Sequence, residues 1–212
     1  MRVTLVKHYD PIWPLWFEEL RHRFDSVLSG RYCSIEHVGS TSVAGMTAKP
    51  IIDVDIIIEP QDFERTKDRL AEIGYFHEGD LGIPGRDAFD LSDIGLKGSL
   101  PAHHTYVCDK YGEALKRHLV FRDFLRQSPE YARRLSNLKW QLAEEHDNDR
   151  QSYMDGKVAL CEEIYEKGLE ALGCQCFLDT ATGCDRRRSG GTGTLADQAG
   201  QNTAWNSRGD QR

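Results

Sequence analysis

Residues 50–59 read Pro-Ile-Ile-Asp-Val-Asp-Ile-Ile-Ile-Glu, an apolar strand that carries two aspartates in its interior. Side chains alternate along a strand, so Ile52, Val54, Ile56 and Ile58 share one face while Ile51, Asp53, Asp55 and Ile57 share the other. Aspartate is disfavoured in strands, and an ionised carboxylate buried without a partner costs several kcal/mol, so a cation is expected to compensate the pair. At a rise of roughly 3.3 Å per residue the two α-carbons stand about 6–7 Å apart, close enough for both side chains to converge on one or two Mg²⁺ ions. The strand leaves an alternative open: Asp53 and Asp55 end at a solvent-facing edge, or pair with a nearby lysine or arginine.

The loop ahead of this strand narrows the choice. Val38-Gly39-Ser40 closes the strand expected over "RYCSIEHV" in a glycine turn whose backbone N–H groups and serine hydroxyl can face a phosphate. Glycine and serine are also the commonest turn residues, so an ordinary turn is the competing reading. A phosphate-gripping turn shortly before a metal-binding Asp-x-Asp makes a coherent nucleotide site.

Around these two motifs the chain divides into an α/β part and a helical part. Trp13, Phe17, Leu20, Phe24 and Val27 recur at helical spacing behind Pro14, which predicts an amphipathic helix over about residues 12–29, packed on the sheet. A second helix is expected over about 61–73. The passage "EGDLGIPGRDAFDLSDIGLKGSLPA" is punctuated by Gly and Pro and leaves room for one short strand near 86–91. "HHTYVC" reads as a further strand. Beyond Tyr111 three helices are expected. The second has Ser128 as N-cap and Pro129 in its first turn, with a stripe of Tyr131, Leu135, Leu138 and Leu142; the third starts near Asp149 and buries Tyr153, Leu160 and Ile164. Strands followed by helices argue for an α+β fold.

A chain of 212 residues with 39% hydrophobic residues can bury one sizeable core, so one domain, or one domain with a helical appendage, is expected. The divisions expected are a core over 1–110, a helical segment over 111–172 packed on it, and a tail over 173–212. A net charge of −7 argues against a broad nucleic-acid surface and favours a small-molecule or nucleotide-sized partner. Lys7, His8 and Asp10 interrupt any apolar run at the N-terminus, so neither an export signal nor a membrane span is read there, and a soluble cytoplasmic protein is expected. Cys33, Cys108 and Cys161 read as small buried hydrophobes, while Cys174, Cys176 and Cys184 lack the paired spacing of a structural zinc module. The tail is rich in Gly, Thr, Ser, Asn and Gln, and is expected to be disordered; its Arg186–Arg188 run is expected to be solvated.

An apolar residue, Gly-Ser, twelve intervening positions and Asp-x-Asp resemble the signature of the DNA polymerase β-like nucleotidyltransferase superfamily. More closely, "IEHVGSTSVAGMTAKPIIDVDI", "PGRDAF", "HHTYV" and the run from "FRDFLRQSPEYARRL" to "ALCEEI" resemble the GrpB family in the same order, up to about residue 172. The resemblance implies a nucleotidyltransferase-like mixed sheet flanked by helices, with a C-terminal helical segment. It places Gly39 and Ser40 at the phosphate turn and Asp53 and Asp55 at the metal, Mg²⁺ or Mn²⁺. Lys49, in the "AKP" segment, is implied to neutralise phosphate charge.

The superfamily's third carboxylate has no evident counterpart here. In the GrpB family the neighbouring strand carries histidines instead: His103 and His104 in this chain, with Tyr106 at a further histidine position. Only one of His103 and His104 can face the aspartates, and His104, which shares a face with Tyr106, is the choice for metal ligand or general base. Tyr153 and Lys157, one turn apart, and Arg122 and Arg126 are implied to close the cleft over a nucleotide or acceptor; Arg122 has Asp123 as an alternative partner. The function implied is Mg²⁺-dependent transfer of a nucleoside monophosphate from a nucleoside triphosphate to a hydroxyl of an acceptor that the residues do not identify. The alternative is a catalytically inactive module of the same fold that senses a nucleotide. A carboxylate such as Asp90 beside Asp53 and Asp55 would favour the enzyme.

Overall fold

The computed structural model describes residues 6–146 and 149–172, so the tail and its cysteines lie outside the described residues. Five strands form one mixed sheet: β1 (Ser34–Val38), β2 (Ile52–Ile58), β3 (Tyr75–Gly79), β4 (Arg86–Leu91) and β5 (His103–Asp109). Their order is β1-β2-β5-β4-β3; β2 and β5 run parallel at the centre and every other pairing is antiparallel.

Alternation along β2 decides which helices cover which face. Ile52, Val54, Ile56 and Ile58 pack with Trp13, Phe17, Leu20, Phe24 and Leu28 of α1 (Trp13–Leu28) and with Leu70 of α2 (Phe63–Glu72). Each fully buried side chain of this size contributes about 1.5–3 kcal/mol. On the opposite face Val38, Ile57, Ala88, Tyr106 and Cys108 meet Leu115 and Leu119 of α4 (Glu113–Gln127). The sheet is thus covered on both sides, and its largely antiparallel pairing makes the fold α+β.

Two elements escape the sequence pattern between β2 and β5. β3 follows Gly74, whose φ of 90° suits glycine, and buries Tyr75 while exposing Phe76 and His77, so as an edge strand it has too short an apolar alternation to read. α3 (Ile94–Ser99) contains Gly95 and Gly98, which disguise it; Asp93 caps it by accepting the Leu96 N–H at 2.8 Å.

Beyond β5 the chain is helical, but the expected third helix is two: α6 (Arg150–Gly156) and α7 (Val158–Leu172). The break follows Gly156, where a Cβ would stand 2.4 Å from Leu142 Cδ2 of α5 (Pro129–Glu145), so α6 approaches α5 at the glycine. Pro129 occupies the first turn of α5 as expected, whereas Ser128 makes no side-chain cap bond; its carbonyl accepts the Ala132 N–H instead. The loop after β1 is anchored among these helices: Val43 and Met46 are buried with Phe121, Phe124, Leu125, Leu135, Cys161 and Ile164. No helix among the described residues is long and apolar enough to cross a membrane.

Candidate functional site

The glycine turn and the Asp-x-Asp strand meet in space. Register pairs Val38 with Asp53, and Gly39 follows at φ 68°, a left-handed conformation that glycine adopts without strain. A Cβ on Gly39 would lie 2.1 Å from Asp53 Oδ2, so only glycine lets the turn sit against the carboxylate. Ser40–Ser42 then forms a 3₁₀ turn, tied by Ser42 Oγ donating to the Gly39 carbonyl at 2.6 Å.

The two aspartates have different surroundings despite sharing a strand face. His104 lies opposite Asp53 in the parallel register and its Nδ1 donates to Asp53 Oδ1 at 2.9 Å; both side chains are about a quarter exposed. Burial acts to raise the Asp53 pKa, but the hydrogen bond and charge of His104, with His118 and His37, hold it below the ordinary carboxylate value. Asp55 is fully buried, and its Oδ2 accepts from His118 Nδ1 on α4 at 2.7 Å. Asp55 Oδ1 is buried with no hydrogen-bond partner. The histidine on the other face behaves as alternation demands: His103 donates from Nδ1 to the Pro101 carbonyl and accepts at Nε2 from the Tyr75 hydroxyl, each at 2.6 Å.

Across from this sheet wall stands a helical wall of cations. A cleft of about 100 Å³ is lined by Ser40, Lys49, Asp53, His104, Lys139 and Lys157 among its polar residues, with Tyr106, Tyr153 and Met154 among the others. Lys139, only 5% exposed, donates to Ser40 Oγ at 2.5 Å and to the Thr47 carbonyl at 3.1 Å. Burial pushes its ammonium pKa down to about 7, with the charge of Lys157 acting the same way. Burial also lowers Lys157 and Lys49 from the ordinary lysine value. These two ammonium groups stand 5.3 and 5.4 Å from the centre of the Tyr153 ring.

The expected site residues therefore assemble with one division. Ser40, Lys49, Asp53, His104, Tyr153 and Lys157 line the cleft and Gly39 backs it, whereas Asp55 lies beneath it under His118. Lys157 follows the end of α6 rather than extending the same helix as Tyr153, yet their contact persists. Arg122 and Arg126 do not line the cleft: Arg122 pairs with Glu36 and Asp123, and Arg126 donates to the Ser42 carbonyl, so both brace the turn from behind. Asp90 does not join the aspartates; its carboxylate takes Lys97 at 2.6 Å. Sequence reasoning missed His118 and Lys139. Each sits on an otherwise apolar helical stripe, between Leu115 and Leu119 and between Leu135 and Leu142, where a polar residue is itself a signal.

The carboxylate donors at the strand are those of Asp53 and Asp55. Among the described residues no group of three His, Cys, Asp or Glu side chains stands together as a metal site. The unpartnered Asp55 Oδ1 and the part-exposed Asp53 are the oxygen donors that fit, in keeping with hard cations that take one or two carboxylates and complete their shell with phosphate and water.

Comparison with known proteins places this architecture. The chain is 35% identical over 152 residues to the UPF0157 protein YqkA of Bacillus subtilis, covering 70% of this chain but 42% of that protein, so it spans less than half of that relative. It is 31% identical to the glutamate-rich protein GrpB of Alkalihalophilus pseudofirmus, covering 76% of this chain and 93% of that one. A crystal structure of the conserved protein GrpB from Enterococcus faecalis superposes with a TM-score of 0.68 at 32% identity, over 79% of this chain and 99% of that chain. The family model described as GrpB protein matches residues 3–167, and the chain belongs to the GrpB family.

Proposed function

We propose that the cleft binds a nucleoside triphosphate and transfers its nucleoside monophosphate to an acceptor hydroxyl. The observation that carries this reading is the contact of the Gly39–Ser40 turn with Asp53, directly opposite the lysines of the helical wall. Ser40 and the turn's backbone N–H groups hold phosphate oxygens, and the lysines offset their charge. The acceptor oxygen attacks the α-phosphorus, the bond to the bridging oxygen breaks, and pyrophosphate leaves. His104 is held by Asp53 through Nδ1, so the acceptor's proton passes to Nε2. Asp53 and Asp55 are the residues that would hold Mg²⁺ or Mn²⁺, which supplies charge neutralisation at the phosphates when bound.

A second reading has its own support. Each aspartate already has a histidine partner and Asp90 is committed to Lys97, an arrangement suited to a module that binds a nucleotide without processing it. The test is pyrophosphate release from nucleoside triphosphates with Mg²⁺ across a panel of hydroxyl-bearing acceptors. Release is expected, slowed about 10²–10⁴-fold by His104→Ala with little change in nucleotide affinity and almost untouched by His103→Ala. Nucleotide binding without release selects the sensing module. Absence of binding removes both readings.

A further inference from the structure

We propose that His118 is a positioning residue: by holding Asp55 Oδ2 it leaves Oδ1 as the one oxygen that this aspartate offers a divalent ion. The inference rests on the metal assignment made under the proposed function, and adds to it a residue on α4. His118 does not line the cleft and acts through Asp55.

Strand register and helix period fix this contact together. β1 and β2 pair Glu36 with Asp55, so two carboxylates stand opposite one another on the sheet face that α4 covers. Like charges so placed repel. α4 answers with two donors one helical turn apart: His118 Nδ1 to Asp55 Oδ2 and Arg122 Nη1 to Glu36 Oε2, each at 2.7 Å. Leu115 and Leu119, buried against Val38, Ile57, Tyr106 and Cys108, seat this stretch of the helix on the sheet. The imidazole is therefore held over Asp55 by packing on the same turns of α4.

Hydrogen-bond chemistry then divides the two oxygens of Asp55. A carboxylate only accepts, so Nδ1 of His118 carries the hydrogen and Oδ2 is committed to it. Oδ1 is buried and has no hydrogen-bond partner among the described residues. A neighbouring group is the Cys108 thiol, whose pKa is raised by burial and further by the charge of Asp55; a thiol is a weak donor. A buried acceptor without a donor is costly, and a hard cation that prefers oxygen satisfies it. Without His118 the carboxylate is free to turn about its Cβ–Cγ bond, and Oδ1 no longer keeps one direction. Asp53 offers no equally clean case, because its partner His104 is itself part of the cleft wall. Groups that hold a metal ligand by a hydrogen bond typically change metal affinity about 10–100-fold when removed.

Calorimetric titration of the full chain with Mn²⁺ tests this through three substitutions at one position. The side-chain nitrogen of asparagine stands near the place of imidazole Nδ1, and that of glutamine near Nε2. His118→Asn is expected to keep Mn²⁺ affinity within about threefold of wild type, whereas His118→Gln and His118→Ala weaken it by about tenfold or more. His77→Ala breaks a pair with Asp87 beside Phe63 and Phe89, on the sheet face covered by α1 and α2, and should leave affinity unchanged. Circular dichroism checks that each variant is folded, and the comparison of asparagine with glutamine stays decisive if His118→Ala fails to fold. A merely structural histidine would not separate these two amides in Mn²⁺ affinity. Equal affinity in His118→Asn and His118→Gln, or wild-type affinity in every variant, overturns the positioning role and leaves the metal assignment standing. Absence of Mn²⁺ binding by wild type, or binding that Asp53→Asn and Asp55→Asn do not alter, removes the metal assignment and this inference with it.

Discussion

On the sheet wall of the cleft Asp53 and Asp55 each take a histidine as partner, whereas on the helical wall Lys139 and Lys157 face neutral groups. The carboxylates of the sheet wall hydrogen-bond to imidazoles, and the ammonium groups of the helical wall meet a hydroxyl, a carbonyl and an aromatic ring. The comparison also divides the sheet wall, because Asp53 is open to the cleft and Asp55 is sealed.

The largest effect should come from breaking the sealed pair. His118→Ala leaves the Asp55 carboxylate buried without its partner and is expected to cost about 3–5 kcal/mol in urea unfolding at pH 7. His104→Ala removes the partner of a quarter-exposed aspartate and should cost about 1 kcal/mol. Equal costs would show that the two aspartates are not differently placed in solution.

A somewhat smaller effect concerns the histidine near the site that has no carboxylate partner. His37 is buried against Phe17, its rings stacked at 4.8 Å, and burial pushes its pKa down to about 4. The unfolded chain holds a proton on this residue below about pH 6.5 while the folded chain refuses it until about pH 4, so stability is lost as pH falls through that window. At about 1.4 kcal/mol per pKa unit the loss is about 3 kcal/mol. Unfolding measured at pH 7 and pH 4 should show it, and His37→Gln should flatten the acid limb; an unchanged slope would mean the imidazole is not held neutral.

The smallest effect is expected on the helical wall. Lys139→Met removes a buried ammonium along with its two bonds, and stability at pH 7 should stay within about 1 kcal/mol of wild type. The folded-state pKa of Lys139 is depressed to about 7, so the unfolded chain binds the extra proton between pH 7 and the ordinary lysine range. Wild type should therefore gain stability over Lys139→Met as pH rises above 7. A large loss in the variant at pH 7 would make Lys139 a structural tie and its charge incidental.

What the sequence determined by itself was local and periodic. Alternation placed Asp53 and Asp55 on one face of β2 and Ile52, Ile56 and Ile58 on the other, and left only one of His103 and His104 able to face the aspartates; the choice of His104 came from its sharing a face with Tyr106, at the family's further histidine position. Helical spacing located α1, α2 and α5, and Gly39-Ser40 marked a turn that does close against Asp53. Weak periodicity hid β3 and α3, and a glycine contact with Leu142 split the last helix. Only the tertiary structure decided that His118, 63 residues from Asp55, seals one carboxylate, and that Lys139, 99 residues from Ser40, joins the turn. A residue's electrostatic partner is set by which surfaces pack together, and that depends on crossing angles and on close approaches of helices across the whole chain, which no local spacing encodes.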